Sequence, residues 1–374
     1  MSKNYYSLGL MSGTSMDGVD ASIIQTDGKV QYKAILDSYF EYPKDIFQDL
    51  TKLRNKIKSS KDLKRFKKQI KSIEKEITLF HAKTVSEILK KSKVNIDLIG
   101  FHGQTIFHNA EEKISRQLGD GKLLSKLTKK KVVYNFRKND LENGGQGAPL
   151  TPIFHLLLKN KYKLKSPLII LNIGGIANIT NFIDKKDNMS SLDIGPGNCL
   201  IDQWIRINSK KKYDEKGKIA KSGKINTIIL KKALENFKDK NIVKSSFDVK
   251  DFDISFVQDL SFEDGAATLT EYTSEILYEY LVDSECGTWK NTIITGGGRK
   301  NKFLIKSIED KIKTLGALNS PLKLIDEFGI DGDFVESQAF AYLAIRSYLK
   351  LPISFPETTG CNKPCTGGVI IENF

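Results

Sequence analysis

The chain has 374 residues, 40% of them hydrophobic and 28% charged, with a formal net charge of +14. That length is too great for one ordinary core and predicts two domains, and the composition excludes a disordered or fibrous chain. No apolar run reaches the roughly 18 residues of a membrane-spanning helix, and the N-terminus MSKNYYSLGLM lacks a signal-peptide layout; a cytoplasmic protein with no membrane partner is expected.

The positive charge raises the question of nucleic acid. Of 59 basic residues only seven are arginine (Arg54, Arg65, Arg116, Arg137, Arg206, Arg299 and Arg346). Arginine is the preferred reader of phosphates and bases, and the lysines are spread along the chain beside Asn and Ile, so solvated faces are expected and no nucleic-acid partner. The four cysteines, Cys199, Cys286, Cys361 and Cys365, form no CxxC pair and share no ligand spacing with the four histidines. Reduced thiols and no structural zinc are expected.

In chain order, residues 5–11 and 19–26 read as strands around the stretch LGLMSGTSMDGVDASII (8–24). Gly13 and Gly18 have the spacing of a phosphate-binding P-loop, but Val19 and Asp20 stand where that loop needs Lys and Ser or Thr. The context is strand–turn–strand where a P-loop requires strand–turn–helix. The N–H groups of Ser12, Gly13, Thr14 and Ser15 can still converge on phosphate oxygens as an anion nest. Asp17 and Asp20 would repel a bare phosphate and become useful if Mg²⁺ lies between. Asp17 reads either as a metal or substrate contact or as a turn-forming Asx residue, and Asp20 as structural or functional alike.

Residues 61–91 carry Leu63, Phe66, Ile70, Ile73, Ile77 and Phe80 every three or four positions, an amphipathic helix whose face His81 and Thr84 interrupt. Strands follow at 96–101 and 132–136. Between them GFHGQT (100–105) sets His102 and Gln104 at a strand end, suited to sugar hydroxyls, with a satisfied turn or core histidine as the alternative for His102. The stretch YNFRKNDLENGGQGAPLTPIFH (134–155) leaves a strand, passes Arg137 and Asp140, and turns tightly before a helix at 152–160. Acids just beyond a strand's carboxyl end face ligand crevices in α/β folds. Asp140 is a candidate general base, or else half of an Arg137–Asp140 surface pair.

PLIILNIGGIANITNFI (167–183) repeats the strand–glycine turn–strand pattern, implying two similar domains with a cleft between them. SLDIGPGNCLIDQW (191–204) has an acid on a strand, a Gly-Pro-Gly turn and a helix start, which can aim a helix N-terminus at an anion. TIITGGGRKN (292–301) supplies a third glycine turn after an apolar strand.

Taken together, LGLMSGTSMDGVDAS, NFRKNDLENGGQGAPLTPIFH, LNIGGIANIT, DIGPGN, TGGGRKN and SFPETTGCNKPCTGG occur in an order that resembles the anhydro-N-acetylmuramic acid kinases, from residue 8 to about 368. The resemblance implies an α/β protein of two ribonuclease-H-like domains, the actin/Hsp70/sugar-kinase fold, with an interdomain ATP cleft. Residues 1–160 would form the first domain, completed by 350–374, and 161–349 the second. It implies a cytoplasmic homodimer that uses ATP and Mg²⁺ to turn 1,6-anhydro-N-acetylmuramic acid and water into N-acetylmuramic acid 6-phosphate in peptidoglycan recycling.

On the matching positions, the resemblance makes Asp140 the base that activates water. ATP and its phosphates would be met by Ser12, Gly13, Thr14, Ser15, Met16, Asp17, Gly18 and Val19. In the second half the same role would fall to Asn172, Gly174, Gly175, Asn178, Gly195, Gly197, Asn198, Gly296, Gly297, Gly298 and Asn301. Mg²⁺ would sit near Asp17 and Asp193, and the sugar against His102, Gln104, Arg137 and Glu336. Ser337 in DFVESQAFAYLA replaces the family's usual Ala, a change expected to bear on packing. The rival readings are a kinase for another amino sugar, which needs no water, and an actin- or Hsp70-like conformational ATPase.

Overall fold

The computed structural model describes residues 3–183, 188–241, 246–283, 291–314 and 322–372. Among these the strands are β1 Tyr5–Ser12, β2 Gly18–Thr26, β3 Tyr32–Glu41, β4 Leu98–Asn109, β5 Ile114–Leu118, β6 Lys131–Tyr134, β7 Leu168–Ile173, β8 Ile176–Phe182, β9 Ser190–Pro196, β10 Thr292–Thr295, β11 Lys323–Leu324 and β12 Val369–Ile371. They make two sheets. The first has the order β12-β6-β4-β1-β2-β3 with β5 paired to β4, and the second the order β11-β10-β7-β8-β9.

The two sheets share one plan. Three strands run as an antiparallel meander (β1-β2-β3, then β7-β8-β9), and two more join parallel to its first strand (β4 and β6, then β10 and β11). Parallel neighbours need crossovers long enough to hold a helix. Helices such as Lys67–Ser92 before β4 and Lys302–Thr314 before β11 supply them. This is the ribonuclease-H-like pattern occurring twice, and it explains why the glycine turn after β1 and that after β7 look alike: both join the first two strands of a meander.

The first compact unit comprises residues up to Leu164 and from Asp333 onward; the second is Lys165–Gly332. The C-terminal segment thus belongs with the first unit, and its return begins at Asp333 where the sequence suggested 350. The cause is the helix Val335–Tyr348, which lies flush on the first sheet. Glycines allow that approach: a Cβ on Gly9 of β1 would overlap the backbone of Ser337, and one on Gly100 of β4 the backbone of Phe340. The helix is buried on nearly every side, with polar residues such as Ser337, Gln338 and Arg346 among the buried ones, so its sequence alone does not say which sheet it covers. Ser337 is fully buried there and donates to Phe334 C=O at 3.0 Å while sharing a 2.6 Å hydrogen bond with Ser22, so its hydroxyl is satisfied.

The helix expected over 61–91 is divided. Asp62 Oδ2 accepts the Ser59 N–H at 2.9 Å and the Ser59 hydroxyl at 3.0 Å at the start of a short helix Ser60–Arg65, and Phe66 separates it from Lys67–Ser92. Ile70, Ile73, Ile77, Val85 and Ile88 bury the core face, and His81 and Thr84 belong to that face instead of interrupting it. β4 also runs on through His102 and Gln104 to Asn109, so neither stands at a strand end. Gly103, at φ 75°, creates a bulge where the register with β1 skips from Phe101 to Gly103. His102 is the residue skipped, and a bulge re-aims its side chain.

Candidate active site

The turn between β1 and β2 closes with the Met16 N–H donating to Gly13 C=O at 3.2 Å, and Met16 adopts φ 58°. Two side chains pin its carbonyls. Gln104 Nε2 donates to Gly13 C=O at 2.9 Å, and Arg54 Nη1, from the helix Lys44–Lys56, to Thr14 C=O at 3.1 Å. In a trans peptide the C=O and the following N–H point opposite ways. Pinning these two carbonyls therefore turns the N–H groups of Thr14 and Ser15 to the other side, where neither has a protein partner among the described residues. Free amides on successive residues are the groups an anion nest uses, and none of them requires a lysine.

A buried chain of hydrogen bonds anchors the start of this turn. His81 Nδ1 lies 2.8 Å from Ile77 C=O, so it carries the proton and Nε2 accepts. The Ser12 hydroxyl donates to that Nε2 at 3.3 Å and accepts from the Tyr42 hydroxyl at 2.9 Å. The Ser12 side chain is thereby engaged on both sides, and its backbone ends β1, in register with Gln104 of β4. Burial pushes the Tyr42 pKa up, with Asp17 and Asp20 adding to the rise. The Ser15 hydroxyl donates to Asp17 Oδ1 at 2.5 Å, a local turn contact, while Oδ2 has no protein partner among the described residues. Asp20 lies within β2, in register with Met11 and Tyr39.

Asp140 sits on a one-turn helix, Lys138–Glu142, just past β6, and is 1% exposed, which overturns the surface-pair reading. Its carboxylate is held on both oxygens: the Gly147 N–H donates to Oδ2 at 2.6 Å and the Thr359 hydroxyl to Oδ1 at 2.6 Å. The glycines of GGQGAP are there for space and dihedral. Gly147 takes φ 73°, and a Cβ on Gly145 would overlap Asp140 Oδ2.

The backbone of Gly147, through Arg137, also links Asp140 to His102. Arg137 Nη1 donates to Gly147 C=O at 2.8 Å, and its Nη2 lies 3.0 Å from His102 Nε2. A guanidinium only donates, so His102 Nε2 accepts and Nδ1–H donates to Gly103 C=O at 2.8 Å. Burial, reinforced by Arg137, holds the His102 pKa well below the ordinary value, and the imidazole is neutral. Its ring lies 4.5 Å from that of Phe340, and Glu336 stands one helical turn before Phe340 on the same face. Gln104 is fully buried; its amide nitrogen serves the Gly13 turn and its Oε1 has no protein partner among the described residues.

These histidines make a prediction about acid stability. Burial lowers the pKa of His81 and of His155 to about 4 from 6.5. A base with a lowered folded pKa contributes stability that is complete above 6.5 and is lost as pH falls toward 4. At pH 5 each costs about 2 kcal/mol relative to pH 7.5. Denaturant midpoints of the first unit's unfolding should fall accordingly; a midpoint flat from pH 7.5 to 5 would contradict the buried neutral rings.

In the second unit the glycine turns expected from sequence lie against one another. The N–H groups of Gly197, Asn198 and Cys199 donate to carbonyls of Gly174 and Gly175 at 2.8–3.2 Å. These amides at the start of the helix Cys199–Asn208 are therefore occupied by the hairpin turn, not free for an anion as the sequence suggested. Thr295 Oγ1 donates to Asn172 Oδ1 at 3.1 Å, and Gly296, at φ 79°, leaves room for that group; a Cβ on Gly298 would overlap Ile173. Gly195, next to last in β9, lies beside Ile276, and Gly297 has open space around it. Asn178 Oδ1 is buried without a partner among the described residues. Asn301 Oδ1 accepts the Leu304 N–H at 3.1 Å and so caps the helix Lys302–Thr314. Asp193 is 6% exposed, and its Oδ2 accepts the Phe247 N–H at 2.9 Å. Cys199, Cys361 and Cys365 are free thiols; Cys286 lies outside the described residues.

The family model for anhydro-N-acetylmuramic acid kinase matches residues 5–373. The chain belongs to the anhydro-N-acetylmuramic acid kinase family. It is 55% identical over 379 residues to the anhydro-N-acetylmuramic acid kinase of Pelagibacter ubique (strain HTCC1062), with all of both chains covered. It is 38% identical to that of Zymomonas mobilis over 97% of this chain and 98% of the relative. For Agrobacterium fabrum the values are 36% identity and 98% of each chain. A solved ROK hexokinase from Thermus thermophilus aligns over 90% of this chain and 97% of its own at 11% identity, with a TM-score of 0.35.

Membership of this kinase family implies ATP use. Within the family's motifs, sequence reasoning found Asp140, Arg137 and His102 but not the order in which they connect. It missed Arg54, Tyr42 and His81, which lie outside the motifs and act on the Ser12–Asp17 turn from neighbouring elements. It also gave no role to Thr359, although the stretch SFPETTGCNKPCTGG contains it. The doubled threonine before a glycine was the available signal.

Proposed function

We propose that this chain is an ATP-dependent kinase that converts 1,6-anhydro-N-acetylmuramic acid and water into N-acetylmuramic acid 6-phosphate in peptidoglycan recycling. The observation that carries the reading is the Asp140 carboxylate, buried and held by Gly147 and Thr359 in a chain of this family. Asp140 takes a proton from water as the water oxygen bonds to the anomeric carbon. The bond from that carbon to O6 breaks, and O6 attacks the γ-phosphorus as ADP leaves. Activation of water at an anomeric centre is glycosidase chemistry; the phosphoryl transfer asks mainly for positioning and charge stabilisation.

In the first unit the free amides of Thr14 and Ser15 are suited to phosphate oxygens, with Gly13, Met16, Gly18 and Val19 shaping the turn. His102, Arg137, Gln104 and Glu336 are proposed to face the sugar. In the second unit Asn172, Gly174, Gly175, Asn178, Gly195, Gly197, Asn198, Gly296, Gly297, Gly298 and Asn301 are proposed to line the nucleotide. Mg²⁺ would supply charge neutralisation at the β- and γ-phosphates. Asp17 suits it through the unpartnered Oδ2, while Asp193 has one oxygen already engaged. The proposal includes a homodimer acting in the cytoplasm; among the described residues no helix is long and apolar enough to cross a membrane.

The test is turnover with Mg·ATP and the anhydro sugar in ¹⁸O-labelled water. Label at the anomeric oxygen of a 6-phosphorylated product is the expected outcome. ADP release without labelled sugar phosphate would contradict it. Asp17→Asn is expected to raise the Mg²⁺ concentration needed for half-maximal rate by about tenfold, the loss of roughly 1.4 kcal/mol of ion attraction. An unchanged Mg²⁺ dependence would remove Asp17 from the metal's surroundings.

A further inference from the structure

Resting on the reading of Asp140 as the base, we propose that Thr359 is a positioning residue that fixes the orientation of its carboxylate. Thr359 ends the short helix Pro356–Thr359 and is 3% exposed. Its hydroxyl has a local acceptor, Phe355 C=O at 3.4 Å, yet lies much closer to Asp140 Oδ1, at 2.6 Å. Asp140 is therefore its principal partner.

The threonine is itself gripped from the segment that bears the acid. Its C=O accepts the Gln146 N–H at 2.8 Å, and the Asn362 N–H just beyond donates to Asn143 C=O at 3.0 Å. Asn139 Nδ2 donates to Thr366 C=O at 2.6 Å. The C-terminal strap, at Thr359 and beyond it, is thus stitched to residues on both sides of Asp140, although Thr359 and Asp140 are 219 residues apart in sequence. With Gly147 holding Oδ2 and Thr359 holding Oδ1, the carboxylate cannot turn about its Cβ–Cγ bond. Without the Thr359 hydroxyl it pivots on the Gly147 bond alone, and the lone pair offered to the water loses its direction.

The test compares Thr359→Val, Thr359→Ala and Thr359→Ser, reading ADP release with whichever sugar the wild type phosphorylates. We expect Val and Ala to lower kcat at least about tenfold while KM for Mg·ATP stays within about twofold, and Ser to stay within about threefold of wild type. In an Asp140→Asn background the Val change should cost nothing further, because there is no base left to orient. A Val variant as fast as wild type, a Ser variant as slow as Val, or an undiminished loss in the Asp140→Asn background would each overturn the role. If Val does not fold, the Ala–Ser contrast carries the same decision. Wild type active only on a different sugar ends the proposed substrate and leaves the Thr359 comparison standing on that sugar; wild type inactive on every sugar ends both.

Discussion

Asp140→Asn is expected to lower turnover by about 10³-fold, in the middle of the range for loss of a positioned general base, with KM for Mg·ATP nearly unchanged. The substitution is a sharp one because the asparagine fits. Its amide oxygen can keep the Gly147 N–H, now as a neutral acceptor, and its NH₂ can face the Thr359 hydroxyl, which switches from donor to acceptor. The glycine wall and the Arg137–Gly147–His102 link have no reason to move. What is lost is the ability to accept a proton from water. ADP release and sugar phosphate, measured with nucleotide binding on the same sample, check it. Turnover within a few-fold of wild type would remove Asp140 as the base.

Gly145→Ala should be nearly as damaging without touching a titratable group. The new methyl would occupy the space of Asp140 Oδ2. The loop cannot retreat easily: the Gly145 N–H is bonded to Asp140 C=O at 2.9 Å, and the adjacent Gln146 N–H to Thr359 C=O at 2.8 Å. The carboxylate must therefore yield, leaving one or both of its donors. A displacement of about 1 Å at a catalytic group costs on the order of 10²-fold in rate, and the crowding costs about 1–3 kcal/mol of stability. Rate and denaturant midpoint measured together check both; an alanine variant with wild-type kcat would mean that the carboxylate has room which the packing denies it.

The two halves of the fold were legible because each opens with a strand–glycine turn–strand signature whose apolar runs and breakers are local. Asp140 and Arg137 were legible as residues, but their relation was not. Three residues apart in sequence, they suggested a pair, whereas the folded loop inserts the Gly147 backbone as a hub, with the acid on its N–H and the guanidinium on its C=O. Thr359 and Arg54 were harder still, since a side chain reaching another loop leaves no periodicity. The end of the second unit was misplaced for a similar reason: the helix Val335–Tyr348 is buried on nearly all sides and carries no polar stripe to show which sheet it faces. The amides at Gly197–Cys199 show the opposite error, a local motif read correctly whose hydrogen bonds the fold had already assigned.

The second unit is an uninterrupted stretch, Lys165–Gly332, set inside a first unit whose own chain is broken in two. During synthesis the inserted unit has its whole sequence available while the first still lacks the helix Val335–Tyr348, the Thr359 strap and strand β12. The nascent first sheet must wait with Gly9 and Gly100 uncovered until the helix Val335–Tyr348 has been translated. A ribosome that stops near residue 332 therefore releases a polypeptide with a complete second unit, an uncovered first sheet and an Asp140 lacking one of its two donors. Such a product would be a substrate for chaperones and proteases before it was a kinase, and translation of the segment from Asp333 onward serves as the step that completes the first unit.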